Sequence, residues 1–404
     1  MERCEALARL SETIGALTRI SLSKEQRAAN ELALTWMREA GMSARLDEIG
    51  NVVGRYEGRV PGAPCLMLGS HLDTVRNAGK YDGMLGVIAA IECVHALDAR
   101  GVRLPHAIEV VGFADEEGVR FGAGLLGSRA IAGKFDPKLL DDRDGHGTSM
   151  RDALVAFGLD PQRIARATRS RADLYAYAEL HIEQGPVLEA EGLPVGVVTA
   201  INGAYRFAVE IKGVAGHAGT VPMRLRQDAL AAAAEMIVAI ESRALQEPDI
   251  VATVGKIEAA PGATNVIPGN VSFTIDLRAP RDEPRRAAAT DVRATILEIA
   301  ARRNVGVDIR LMHDGTTALC ASWLQDQIGR AIAAEGLAVR HLPSGAGHDG
   351  MALVDLVDIG MLFVRCKGGV SHNPLEAITL EDAELSARVF LRFIENFMPA
   401  SLPT

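Results

Sequence analysis

The stretch CLMLGSHLDTVRNAGKYDGMLGVIAAIECVHALDA (residues 65–99) decides the fold. It opens on an apolar, strand-like run at about 65–69 and ends in a helix over about 85–99, with a polar, glycine-containing segment between them. A further strand-like run follows at about 107–114 and leads straight into Asp115, Glu116 and Glu117. Alternation of strand and helix over such lengths predicts an α/β layer architecture with a mainly parallel sheet.

Upstream, the first 42 residues read as helices. Ser23 and Gln26 have the spacing of a capping box, and Ala29, Leu32, Ala33, Trp36, Met37 and Ala40 keep helical periodicity up to Gly41. A strand-like run at about 44–57 comes next. Downstream, the grammar changes: YRFAVEIKG (205–213), an Ala-rich helix over 224–245, IVATVGKIEA (250–259), NVSFTIDLR (270–278), a helix over 281–303 and VGVDIRLM (305–312). That order, βαββαβ, is similar to a ferredoxin-like unit. The α/β pattern then returns with a helix at about 321–335, the strand GMLFVRC (360–366) and a last helix from about 381. The expected organisation is a discontinuous α/β domain, 1–204 with 315–404, into which a smaller module, 205–314, is inserted.

Composition excludes several classes. Of 404 residues, 48% are hydrophobic and 24% charged, an ordinary soluble balance; aromatics are only 4%, so the core must be aliphatic. The net charge of −9 argues against nucleic acid or an anionic membrane as the main partner. No apolar run reaches the roughly 18 residues needed to span a bilayer. MERCEALARLSETIG at the N-terminus lacks the apolar core of a secretory signal. Cys4, Cys65, Cys93, Cys320 and Cys366 are far apart and form no CxxC pair, which fits reduced thiols in a cytoplasm.

The ten histidines are the feature to follow. His71 and Asp73 lie just beyond the apolar run at 65–69, where ligands commonly sit in open α/β sheets. His71 would bind a metal, and Asp73 would orient its ring or hold the adjacent base. Asp82, before Gly83, could bridge two cations or equally cap the following helix. Asp115, Glu116 and Glu117 repel one another unless solvent or a metal neutralises them; with a metal, one carboxylate can bind the cation while its neighbour takes a proton from water. His181, in HIEQGP, follows another strand-like run, and His372, in SHNP, follows the strand ending near Cys366. His217 and His348 sit among glycines, whereas His95, His106, His146, His313 and His341 read as ordinary surface or core residues. His, Asp and Glu without Cys suit Zn²⁺ or Mn²⁺.

Taken in order, GSHLDTV, DEEG, HIEQGP, GHAGT, TNVIPG, SGAGHD and SHNP resemble the metal-dependent amidohydrolases of the peptidase M20 type, and more narrowly the hydantoinase/carbamoylase branch. The resemblance covers nearly the whole chain, including the inserted module, which in that family is a lid and dimerisation domain. It implies two divalent ions per subunit, bridged by Asp82, with His71 and His181 completing one ligand set and Glu117 and His372 the other. It further implies Glu116 as general base, Asp73 in support, and substrate contacts from Gln184, His217, Asn265 and Arg278. His217 would stabilise the oxyanion across a homodimer interface, and Arg278 would hold a substrate carboxylate. SGAGHD would line the pocket, with His348 pocket-lining or structural. Ordinary M20 peptidases usually place an acid at the position of His181, so HIEQGP points to the carbamoylase branch. The implied substrate is a small anionic ureido acid: allantoate first, on the resemblance of LTRISLS, TVRNAGKYDG, AINGAYRF and VAGHAGTVPM, then an N-carbamoyl-L-amino acid or β-ureidopropionate, with a peptide more remote. Gly350 departs from the alanine expected after GHD.

Overall fold

The computed structural model describes residues 1–400. They form two compact units, one made of Met1–Thr199 with the chain from Leu319 onward, the other of Ala200–Ala318.

The first unit is built on a mixed sheet. Across it run, in order, Ser43–Leu46, Val52–Tyr56, Ala107–Phe113, Cys65–His71, Leu174–Ile182, Ile359–Val364 and Val195–Ile201. The four strands in the middle, Ala107–Phe113 through Ile359–Val364, are mutually parallel, and the strands flanking them are antiparallel. Cys65–His71, Ala107–Phe113 and Ile359–Val364 are buried at every position, as strands covered on both faces must be. Helices Lys24–Glu39, Met84–Ala99, Ser322–Ala334 and Leu380–Glu395 contribute to the same aliphatic core. Because the central strands run the same way, His71, Phe113, Ile182 and Val364 all end at one edge. The loops that leave them, 72–83, 114–125, 183–186 and 365–379, therefore start from a common edge.

The N-terminal region is less helical than its periodicity suggests. Helices cover Glu2–Ala8 and Lys24–Glu39, and the chain between them pairs with the loop after Cys65–His71. The Ala78 N–H donates to Leu17 O, the Thr74 N–H to Arg19 O, and the Arg19 N–H to Thr74 Oγ1. Only half of the capping box forms: Ser23 accepts the Gln26 N–H, while the Gln26 amide turns to Asn30.

The second unit is an antiparallel sheet in the order Ile257–Ala260, Asn270–Ala279, Gly203–Lys212, Gly306–Gly315, with Val251–Thr253 also paired to Asn270–Ala279. Phe207, Val209, Ile211, Val271, Phe273, Ile275 and Leu277 alternate inward to form a core with helices Ala229–Ala244 and Asp282–Arg302. The expected βαββαβ order is kept in outline, with the short strands Gly216–His217 and Val266–Ile267 added to it. The run 250–259 is two short strands rather than one, broken around Gly255, and the first helix starts at Ala229, capped by Asp228, rather than near 224. Among the described residues, no helix is long and apolar enough to cross a membrane.

Close packing of Met84–Ala99 on the sheet depends on Gly86. A Cβ there would lie 2.2 Å from Leu180 O and 2.9 Å from Ser70 Cβ. Alanine gains about 1 kcal/mol of helix propensity over glycine, but overpacking against backbone costs about 1–3 kcal/mol or more. We expect Gly86→Ala to destabilise the protein, read as a lower urea midpoint; an unchanged or raised midpoint would contradict this packing.

Candidate metal centre

Asp82 is the meeting point. It is buried, and its Oδ1 lies 3.2 Å from His181 Nε2 and 3.5 Å from His71 Nε2, while its Oδ2 lies 3.1 Å from His372 Nε2. His372 Nε2 is in turn 3.6 Å from Glu117 Oε1. Among the described residues four donor groups could hold a cation; two, His71/Asp82/His181 and Asp82/Glu117/His372, share this carboxylate, and the others are His71/Glu116/Glu117 and Glu179/His181/His348. Asp82 does not cap the helix that follows: Gly83 holds that position, with no side-chain cap.

The imidazole tautomers fit a cation. His71 Nδ1–H donates to Asp73 O at 3.0 Å, and His181 Nδ1–H to Ile182 O at 2.9 Å. Each neutral ring therefore turns an Nε2 lone pair toward the same carboxylate oxygen, and the Gly83 N–H pointing at His181 Nε2 agrees with that assignment. Lone pairs converging on a carboxylate repel unless positive charge stands among them. Burial disfavours charge on His71, yet the carboxylates of Asp82, Glu116 and Asp73 outweigh it and raise its proton affinity well above the usual value. Burial would raise the Asp82 carboxyl, but when protonated the imidazoles of His181, His372 and His71 donate to it and hold it well below the usual range. A divalent cation meets the same demand with borderline-hard N and O ligands.

Glu116 lies beside this cluster, its Oε2 4.0 Å from His71 Nε2. Burial pushes its carboxyl well above the usual value; His71 opposes this, and Glu117, Asp349 and Asp73 add to it. Burial also pushes Glu117 up to about 7. Asp115 is buried at φ +55° and lies outside the candidate ligand groups. Asp73 does its positioning in two ways: its main-chain carbonyl orients the His71 ring, and its carboxylate accepts the Glu116 N–H and Glu117 N–H, each at 3.2 Å.

Other expected residues fall as follows. Gln184, at φ +55°, donates from Nε2 to Asp82 Oδ2 at 2.9 Å and to Ser371 Oγ at 3.1 Å. His348 is buried, 2.7 Å from Ser344 Oγ, with its ring 4.5 Å from that of His181. In the second unit, His217 lies on a two-residue strand paired with Val266–Ile267, next to Asn265, whose carbonyl accepts the Ala218 N–H. The Gly219 N–H donates to His217 Nδ1 at 3.0 Å, which makes Nε2 the protonated nitrogen and so a donor. Arg278 is held side-on by Asp276, with Nε and Nη2 at 2.7 and 2.9 Å. His95, His106, His146, His313 and His341 are in no candidate ligand group.

Sequence reasoning missed Gly83, Ser371 and Glu376. Gly83 has φ +69°, and a Cβ there would sit 2.4–2.5 Å from atoms of the His71 ring. Ser371 bridges Asp82 and Glu376. Glycine beside Asp82 was the one visible signal; nothing in the spacing marks Glu376.

Histidines and carboxylates gathered at the ends of parallel strands, with a proton-hungry glutamate beside them, define a metal-dependent hydrolase. The chain belongs to peptidase family M20/M25/M40, whose pattern matches residues 67–396. It is 44% identical over 375 residues to an N-carbamoyl-L-amino acid amidohydrolase of Geobacillus stearothermophilus, covering 93% of this chain and 92% of that protein. It is 40% identical over 431 residues to allantoate deiminase 1 of Glycine max, covering 98% and 89%. A hydantoinase/carbamoylase family amidase from Burkholderia multivorans superposes with a TM-score of 0.92 at 32% identity, covering 97% and 95%. The chain is accordingly an amidohydrolase, an enzyme that breaks carbon–nitrogen amide bonds.

Gly83→Ala adds one methyl group against the His71 ring and removes no ligand. We expect about 10–100-fold weaker divalent-metal binding with native circular dichroism, the scale of losing a ligand's support. Wild-type metal affinity in this variant would show that the ring has room to move.

Proposed function

We propose that this chain hydrolyses a carbon–nitrogen bond in a small ureido carboxylic acid, with allantoate as first substrate and ammonia as a product. The observation that carries the reading is the convergence of His71, His181 and His372 on Asp82 with Glu116 alongside. Relatives named for allantoate and for N-carbamoyl-L-amino acids support the substrate class. The 44% identity to the Geobacillus amidohydrolase favours a second reading, an N-carbamoyl-L-amino acid as substrate.

In this proposal His71, Asp82 and His181 hold one divalent ion, and Asp82, Glu117 and His372 hold another, Zn²⁺ or Mn²⁺. When bound, the ions polarise the ureido carbonyl and lower the pKa of water. Glu116 takes a proton from the attacking water and returns it to the departing nitrogen. Its carboxylate stands beside the cluster, Oε2 4.0 Å from His71 Nε2, which places it for that exchange. His217 Nε2–H is a donor for the developing oxyanion, given across a homodimer interface. Arg278 takes the substrate carboxylate, and Gln184 and Asn265 add polar contacts. The second unit, so used, is the lid and dimerisation domain. Five free, buried cysteines accord with a cytoplasmic setting.

Glu116→Gln should keep its metal content and lose about 10²–10⁴-fold in kcat, the usual contribution of general base catalysis. Full turnover in a metal-loaded variant would remove the base assignment. Purified protein should release ammonia from allantoate. Rapid turnover of N-carbamoyl-L-amino acids with no ammonia from allantoate would establish the second reading, and turnover of neither would overturn both.

A further inference from the structure

The two donor groups that share Asp82 are supported very differently. His71 and His181 sit at the ends of central parallel strands, and each ring is locked by a main-chain carbonyl. His372 lies on a loop at φ +53°, with half of its side chain exposed. That loop is joined to the rest of the centre through Ser371, which contacts Asp82 and Gln184, and through the buried carboxylate of Glu376. This carboxylate is 3% exposed and belongs to no candidate ligand group. Its Oε1 accepts the Tyr81 N–H at 2.8 Å and the Asp82 N–H at 3.1 Å, and its Oε2 accepts the Ser371 O–H at 2.8 Å. One buried side chain thus ties the backbone of the shared ligand to the residue preceding His372. Gly79 makes room for it: a Cβ there would lie 2.2 Å from Glu376 Cδ.

Asp82 has other anchors, since its carbonyl accepts the Met84 N–H and its Oδ2 accepts from Gln184. Removing Glu376 therefore leaves the His71/Asp82/His181 group largely assembled, whereas the loop carrying His372 loses its tie to the Tyr81–Asp82 backbone and keeps only the contacts of Ser371 with Asp82 and Gln184.

We propose that Glu376 is a positioning residue that selectively maintains the cation position formed by Asp82, Glu117 and His372. This rests on the two-cation reading given above.

The test is metal binding by the full-length protein, stripped with chelator and titrated with Mn²⁺ by calorimetry and electron paramagnetic resonance. Wild type should bind two ions and show the spectrum of a coupled pair. Glu376→Gln and Gly79→Ala, the second of which displaces the carboxylate without deleting it, should each keep one ion at near wild-type affinity. Each should weaken the other ion by about 10–100-fold, the usual scale for losing a residue that orients a ligand, and give the signal of an isolated Mn²⁺. Folding is checked by thermal unfolding of the metal-free proteins, and if Glu376→Gln fails to fold, Gly79→Ala and Ser371→Ala decide. Two ions bound at wild-type affinity, or both weakened together in a folded variant, would overturn the proposal. Fewer than two ions in wild type would instead overturn the two-cation reading beneath it.

Discussion

The structure depends on one carboxylate that cannot be buried alone. Asp82 faces His71, His181 and His372 from a site with little access to water. An isolated charge there would neutralise itself or unfold its surroundings. Three imidazoles answer the charge of Asp82, but Glu116, Glu117 and Asp73 add more negative charge than those rings relieve while neutral. The centre is thus a standing demand for cations, and burial raises the proton affinity of Asp73, Glu116 and Glu117, with neighbouring carboxylates adding to it for the two glutamates. In the proposed reaction this links the electrostatics of the site to its chemistry, because Glu116 stands beside the cluster where a proton would pass between water and a leaving nitrogen.

Meeting that demand requires residues far apart in sequence to share one edge. The parallel centre of the sheet supplies the edge, since its strands end on the same side and release their loops there. Backbone conformation then shapes the loops that carry the candidate site. Asp115, Gln184 and His372 all take positive φ, which is costly for residues with a Cβ and concentrates where a site over-determines the chain. Gly83 goes further, since any side chain would occupy the space of the His71 ring.

The alternating strands and helices around residues 65–113 and the βαββαβ order of the middle segment were legible because apolar periodicity survives in local sequence. Residues 9–23 were not. They read as helix, but Leu17, Thr18 and Arg19 pair with the loop at 74–78, a partner that periodicity cannot register. The IVATVGKIEA run similarly hid a break at Gly255. In the centre, His71, Asp82, Glu117, His181 and His372 stood out because ligand chemistry restricts residue type. Glu376 did not, because a buried carboxylate that accepts backbone N–H groups looks in sequence like any surface glutamate.

The sequence by itself determined which residue types are available as candidate ligands and bases, and the order of elements that carries them, since both are properties of residue type and local spacing. Tertiary structure alone decided that Asp82 stands between the histidines instead of capping a helix. It also decided which nitrogen each imidazole offers, and that Glu376 ties the two halves together. Those outcomes turn on three-dimensional contacts, from main-chain carbonyls one or two residues away to side chains as far as 295 positions distant, where distance and hydrogen-bond direction, rather than composition, assign the role.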